Sequence, residues 1–203
     1  MDGVITNTMP YHFDAWFKVF REVGVKVDCY DVYKREGEAG IHTIKDLFRE
    51  RKIEITDKIA RRLLLKKENL FKKIVRVKFV KGSRSFLKKL KKNHVVMGLV
   101  TGTSRHEMER ILPLSLQEMF EATVTGDEVK RGKPHPQPFL KALKIMGLQP
   151  NDVVVIENAP FGITAAKRAG LFCIALETSL PKKYLTNADK VVKSFKDLEK
   201  III

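Results

Sequence analysis

The sequence predicts an α/β protein, a three-layer core around a central parallel sheet, interrupted near its start by a long all-helical insertion. Three observations carry this. Val95–Val100, Asp152–Ile156 and Phe172–Leu176 are nearly unbroken apolar runs of strand length, the texture of strands buried on both faces. They alternate with amphipathic helical patterns, which places helices on both sides of one sheet. Residues 11–77 show helical spacing only and no convincing strand.

Taken in order, Met1–Thr8 reads as the loop after a buried strand: a carboxylate, a glycine, an apolar pair, then small polar residues. From Tyr11 to Val23 the apolar residues Phe13, Trp16, Phe17, Phe20 and Val23 fall three and four apart, one face of a helix. Helices are expected over Asp31–Gly37 and Thr43–Arg51. Thr56 reads as the N-cap of a long basic helix reaching Ile74. The texture changes at Lys81-Gly82. Ser83–Lys92 is a short amphipathic helix, Val95–Val100 a strand, and Thr101-Gly102-Thr103 its terminal loop. Ser104-Arg105-His106-Glu107 has the Ser-x-x-Glu form of a capping box and opens the next helix. Ala122–Thr125 is a strand, Pro138–Met146 a helix stopped at Gly147, and Asp152–Ile156 a strand ending at Glu157-Asn158. A helix over Pro160–Ala169, strands over Phe172–Leu176 and Val191–Val192, and a last helix from Phe195 complete the chain.

The 203 residues suffice for a substantial core, and 44% apolar with 31% charged residues fits a globular protein. No apolar run approaches the ~20 residues of a membrane-spanning helix, and the N-terminus lacks a secretory pattern, so a cytoplasmic protein without membrane contact is expected. Cys29 and Cys173 lack metal-ligand spacing and read as reduced thiols, Cys173 buried. The net charge of +15 is spread over several helices without the interleaved aromatics of single-strand binders. It reads as a solvated, thermophile-like surface in preference to a nucleic-acid interface, and its field helps draw in a phosphorylated substrate. A monomer is expected.

Ligands of parallel sheets bind at the carboxyl ends of the strands, so the loops at Thr101, Lys133 and Glu157 should gather at one edge with the Asp2 loop. They would bring a carboxylate (Asp2), a hydroxyl (Thr101), a cation in Gly-Lys-Pro (Lys133) and two oxygen ligands (Glu157, Asn158). Hard oxygen donors suit Mg²⁺. A lysine and a hydroxyl beside such an ion suit a phosphoryl group, whose transfer depends on positioning and charge neutralisation.

With these loops in view, the chain resembles the haloacid dehalogenase-like hydrolase superfamily, in its helical-cap branch. It is most similar there to the β-phosphoglucomutase and sugar-phosphate phosphatase subgroup. The motifs are Met1-Asp2-Gly3-Val4-Ile5 with Thr8, Val100-Thr101-Gly102, Gly132-Lys133-Pro134 and Ile156-Glu157-Asn158, continued by Gly162-Ile163 and Ala165-Ala166. The resemblance implies a Rossmann-like core of residues 1–10 and 78–203 with a helical cap over residues 11–77. It further implies Asp2 as general acid/base that also lends a carbonyl to the metal, and Thr101 as phosphoryl ligand helped by Gly102 and Thr103. Lys133 would stabilise charge, and Glu157 with Asn158 would hold Mg²⁺. Asn158 departs from the usual Asp, which leaves Glu157 as the main side-chain ligand. Gly3, Thr8 and the cap-entry residues His12 and Trp16 are placed near the substrate, with Gly37 of Arg35-Glu36-Gly37 facing the site and Arg105 offered to phosphate.

The implied activity is Mg²⁺-dependent hydrolysis of a small phosphomonoester through an aspartyl-phosphate. The alternatives are a β-phosphoglucomutase-like isomerase and a silent phosphate-binding relative. The family motif is Asp-x-Asp-Gly with Met1 at x, so the nucleophile is expected immediately before Met1, together with a central strand. The expectation is a start set late or upstream residues omitted, leaving a slot between two buried strands. The mutase pattern also has an arginine after the cap glycine, where this chain has Gly40-Ile41-His42.

Overall fold

The computed structural model describes residues 1–203. The insertion is four helices: α1 (Met9–Glu22), α2 (Cys29–Tyr33), α3 (Gly40–Glu50) and α4 (Asp57–Ile74). They close on a cluster that includes Trp16, Val19, Phe20, Ile44, Leu47, Phe48, Ala60 and Leu63. Pro10 occupies the first turn of α1, where a missing N–H costs nothing. The buried stripe of α1 is not the one read from sequence. It runs through Met9, His12, Ala15, Trp16, Val19 and Phe20, while Phe17 and Val23 are exposed, because α1 turns a face toward α4 and the polar site. Thr56 caps α4 as expected, its hydroxyl accepting from the Ile59 N–H. The predicted helix over Asp31–Gly37 is displaced toward the N-terminus. Asp28 and Asp31 form a reciprocal capping box that starts it at Cys29, and Gly37, at φ +83, lies in a turn beyond it.

The remainder alternates strand and helix: α5 (Ser83–Lys92), β1 (Gly98–Val100), α6 (Arg105–Ile111), α7 (Leu114–Gln117), β2 (Ala122–Val124), α8 (Gln137–Met146), β3 (Val154–Glu157), α9 (Pro160–Arg168), β4 (Phe172–Leu176), β5 (Lys190–Val192) and α10 (Phe195–Ile202). Every strand pair is parallel. The three layers follow from the period-two alternation of strand side chains. Cys173 and Ala175 of β4 face the helices α8 and α9, whereas Ile174 and Leu176 face α5, α6 and α10. Cys29 is exposed and Cys173 buried, both unpaired. No helix is long and apolar enough to cross a membrane.

The sheet is not continuous. β1 pairs with β2 alone, and β3, β4 and β5 form a separate three-stranded sheet. Between the facing edges of β1 and β3 lies a cavity of about 530 Å³ lined by Met1, Val4, Leu99, Val100, Val155, Ile156 and further apolar residues; Asp152 and Glu157 are its only charged lining. The strand read over Val95–Val100 is correspondingly short. Val95 and Val96 are 40% and 55% exposed, because a strand with no neighbour on one side keeps fewer ladder bonds to hold its first residues. The N-terminal loop is tied down beside this slot: Ser83 donates to the Ile5 carbonyl at 2.9 Å and the Asn7 N–H to the Lys78 carbonyl at 2.7 Å.

Candidate active site

Because the strands are parallel, the loops after β1, β2 and β3 emerge at one edge, and the Asp2 loop is bonded to them. Asp2 is 1% exposed. One carboxylate oxygen accepts from Thr103 Oγ1 at 3.0 Å. The other accepts a short bond from the Thr8 hydroxyl and faces His12 Nε2 at 3.4 Å. Lys67 Nζ lies 3.0 Å from His12 Nδ1. An ammonium can only donate, so the imidazole is the neutral tautomer with its proton on Nε2, directed at Asp2. His12 stacks on Phe71 with centroids 4.0 Å apart, and Lys67 lies over the faces of Trp16 and Phe71.

The electrostatics follow from burial. Burial alone would raise the Asp2 carboxyl, but bonds from His12 and Thr8 and the nearby positive charge hold it well below the usual carboxylate range. Burial, and then the Lys67 charge, push the His12 imidazole down; burial likewise lowers Lys67.

Lys133 and Glu157 form a second cluster. They are 5% exposed each and paired at 2.6 Å. Lys133 also donates to the Val100 carbonyl at 3.3 Å, and the second Glu157 oxygen accepts the Asn158 N–H at 3.0 Å. A β-carbon at Gly162 would fall 2.2 Å from the Glu157 carboxyl carbon, so the first turn of α9 reaches this carboxylate only as glycine. Asn158 lies against Gly3 and donates its amide nitrogen to Ser179 at 2.9 Å, which leaves its oxygen outside that bond.

The two clusters meet at the Met1 nitrogen. That amine is buried, which pushes it down, and it feels the charges of Asp2, Lys133, Glu157 and Glu36. Above it a polar cavity of about 230 Å³ is lined by His12, Trp16, Glu36, Gly37, Lys67, Gly102, Thr103 and Glu107, among others. The larger slot is apolar except for Asp152 and Glu157, whereas the smaller cavity gathers His12, Lys67, Thr103 and several carboxyls, so the smaller cavity is the better candidate for binding a polar substrate. The insertion closes over it by backbone contact: a β-carbon at Gly102 would lie 2.5–2.6 Å from the Gly37 main chain.

The residues anticipated from sequence are therefore distributed as follows. Asp2, Thr8, His12 and Thr103 are bonded together. Trp16, Gly37 and Gly102 line the polar cavity with His12 and Thr103; Lys133 lies against Gly37 and pairs with Glu157, and Asn158 lies against Gly3. Thr101 is 4% exposed, and its hydroxyl accepts the Thr103 N–H at 3.2 Å, shaping the loop. Arg105 is a correction. Its guanidinium donates to the Thr123 carbonyl at 2.9 Å and to Glu128 at 2.6 Å, because the carboxyl of Glu128 and a carbonyl of β2 lie within reach of the first turn of α6. The capping box there is also only half formed. The Ser104 hydroxyl accepts the Glu107 N–H, but the Glu107 carboxyl turns into the cavity, where one oxygen is buried without a partner. Lys67 and Glu36 were missed. The signal for Lys67 was its place on the buried stripe Ala60, Leu63, Lys67, Phe71 of an otherwise basic helix; a lysine on an apolar stripe is rarely buried unless paired.

Glu157, the Asn158 oxygen and the Asp2 loop form a hard-oxygen donor set that fits Mg²⁺, an ion that retains several waters. No three His, Cys, Asp or Glu side chains converge on one point, so these groups cover only part of an octahedral shell.

Comparison with known proteins identifies the family and the fold. Residues 1–176 match the family model described as haloacid dehalogenase-like hydrolase. The chain is 28% identical over 199 residues to validoxylamine A 7'-phosphate phosphatase of Streptomyces hygroscopicus subsp. limoneus, covering 98% of this chain and 92% of that protein. It is 32% identical over 179 residues to the phosphorylated carbohydrates phosphatase of Thermotoga maritima, covering 84% and 79%. A solved β-phosphoglucomutase from Clostridium difficile superimposes with a TM-score of 0.84 at 26% identity, covering 98% and 92%.

Proposed function

The chain belongs to the haloacid dehalogenase-like hydrolases, and from that premise we propose that it hydrolyses a small sugar-phosphate-like monoester, with Mg²⁺, through an aspartyl-phosphate. The observation that carries the reading is the buried Asp2 carboxylate, bonded to Thr8 and to His12 and Thr103, two residues that line the polar cavity. The phosphatases among its relatives support the same reading.

In this reading the nucleophile is the carboxylate of the residue joined to Met1 nitrogen. That nitrogen already lies within the charges of Asp2, Lys133 and Glu157. The apolar slot between β1 and β3 fits the strand that would carry it, since both flanking edges are parallel and unpaired. The carboxylate attacks phosphorus as the ester P–O bond breaks, and Asp2 gives a proton to the leaving oxygen. Asp2 then takes a proton from water, whose oxygen displaces the aspartyl carboxylate and releases phosphate. Asp2 is held ionised here partly by the charge of the Met1 amine; a peptide bond at that nitrogen and an arriving phosphate dianion both shift it toward the protonated form. Lys133 neutralises charge on the transferring group. Glu157 and the Asn158 oxygen would hold Mg²⁺, which supplies charge neutralisation at the phosphoryl oxygens. Residues 11–77 act as a cap that closes on the core of residues 1–10 and 78–203 and excludes water. The enzyme works as a cytoplasmic monomer.

The test compares two forms: the chain from Met1, and the chain preceded by an apolar strand ending in Asp. Only the longer form should release p-nitrophenol from p-nitrophenyl phosphate, and Asp2→Ala in it should abolish turnover. Equal rates in both forms would refute the nucleophile. The structural likeness to a β-phosphoglucomutase keeps an isomerase as the second reading, recognised by interconverted sugar phosphates in place of free phosphate.

A further inference from the structure

The chain holds two buried side-chain polar atoms without a hydrogen-bond partner, Arg35 Nε and Glu107 Oε1, and both residues line the polar cavity. Unpaired buried polar groups are rare in folded proteins, and two in one cavity mark a place where a ligand completes the bonding. Glu107 has a local partner within reach and does not take it. In a full capping box its carboxyl would accept the Ser104 N–H. Here only the Ser104 half forms, and the carboxyl takes no hydrogen bond or ion pair. Lys67 of α4, 6% exposed, lines the same cavity from the helical insertion. It makes one hydrogen bond, to His12 Nδ1, so two of its three ammonium protons stay free. Lys67 and Glu107 feel each other's charge without forming an ion pair, so the cavity separates a cation from a carboxyl.

We propose that Glu107 is a specificity-determining residue of this cavity: it binds a hydroxyl of the leaving group to which Lys67 also donates, so the site prefers hydroxyl-rich phosphomonoesters to those whose leaving group carries none. The inference rests on reading the cavity as a phosphomonoester site. Thr103, bonded to Asp2 at 3.0 Å, and Glu107, one turn further along the chain, both line it. A phosphoryl group beside Thr103 therefore leaves its ester substituent in the space that Glu107 and Lys67 border. One hydroxyl oxygen both accepts and donates, so it takes a hydrogen bond from the Lys67 ammonium while giving one to the Glu107 carboxyl. Burial raises that carboxyl and the Lys67 charge lowers it. The contact holds in either protonation state, because an ionised carboxyl accepts from the hydroxyl and a neutral one donates to it or accepts. Arg35 Nε is a donor, and the oxygen of a second hydroxyl answers it. An alkyl leaving group supplies neither partner, and a site built to hydrogen-bond a hydroxyl discriminates against the analogue lacking it, because its own polar groups are then left unpaired.

The experiment is calorimetric titration of the 203-residue protein, in Mg²⁺ buffer, with sorbitol 6-phosphate and hexyl phosphate, the same six-carbon chain with and without hydroxyls. The unaltered protein should bind sorbitol 6-phosphate the more tightly. Glu107→Ala should cut that preference about tenfold, by weakening sorbitol 6-phosphate alone. Glu107→Gln, which keeps an acceptor oxygen, should retain most of it. A purely structural role would weaken both ligands equally; that result, or a preference unmoved by Glu107→Ala, overturns the inference. Hexyl phosphate bound as tightly as sorbitol 6-phosphate by the unaltered protein overturns it too, while leaving the phosphate site standing. Binding of neither ligand overturns the phosphomonoester reading itself, and this inference with it.

Discussion

Replacing Lys133 with Met tests the most heavily buried charge pair in the site. Lys133 Nζ and Glu157 Oε1 are 2.6 Å apart with side chains 5% and 6% exposed. At an effective dielectric near 20 their attraction is about 6 kcal/mol. Withdrawing both ions from water costs several kcal/mol each, so the intact pair contributes little net stability. Lys133→Met removes the attraction and leaves the Glu157 carboxylate buried, with the Asn158 N–H as its remaining hydrogen bond at 3.0 Å. Breaking one side of such a pair costs about 3–5 kcal/mol, which lowers the melting temperature of a chain this size by about 6–20 °C. Glu157→Leu should be similarly damaging. The double variant, which strands no charge, should recover most of the loss, giving a coupling of several kcal/mol in a double-mutant cycle read by urea denaturation. Single variants that each cost under about 0.5 kcal/mol, or a double variant equal to their sum, would refute the argument.

Two further outcomes are expected. Gly102→Ala puts a β-carbon 2.5 Å from the Gly37 carbonyl carbon, so the cap loop must retreat by about 1 Å, and kcat/KM of the strand-extended form on p-nitrophenyl phosphate should fall about 100-fold; a rate within twofold of the unaltered protein would show that this contact does not set closure. The pH dependence of stability has a worked sign. The folded-state pKa values of Glu36 and Glu38 are raised, to about 8 and about 7, chiefly by burial, so the stability they contribute is fully present below about pH 4.5 and is lost as pH rises through 7–8. Glu36→Gln should flatten that decline in melting temperature between pH 5 and 9. Asp2 has the opposite sign, its stabilisation being lost only as pH falls below its unfolded value.

Much of this was legible before any coordinates. The strand β4 (Phe172–Leu176), the helix α5 (Ser83–Lys92) and the Thr56 cap stand where the residue pattern put them, because apolar runs and caps are local signals. The Asp2, Thr101, Lys133 and Glu157 loops were placed at one sheet edge by the parallel topology alone. The gap between β1 and β3 matches the slot expected between two buried strands.

What could not be read were the partners. Arg105 looked like a phosphate ligand until Glu128, 23 residues on, took its guanidinium. The α1 stripe rotated because His12 bonds Lys67, 55 residues away. Residue order alone therefore determined the layers and the edge at which the Asp2, Thr101, Lys133 and Glu157 loops gather. Tertiary closure decided which of those groups neutralise one another and which stay free, since a buried charge is settled by whatever long-range neighbour removes it from water with it, and no local pattern encodes that neighbour.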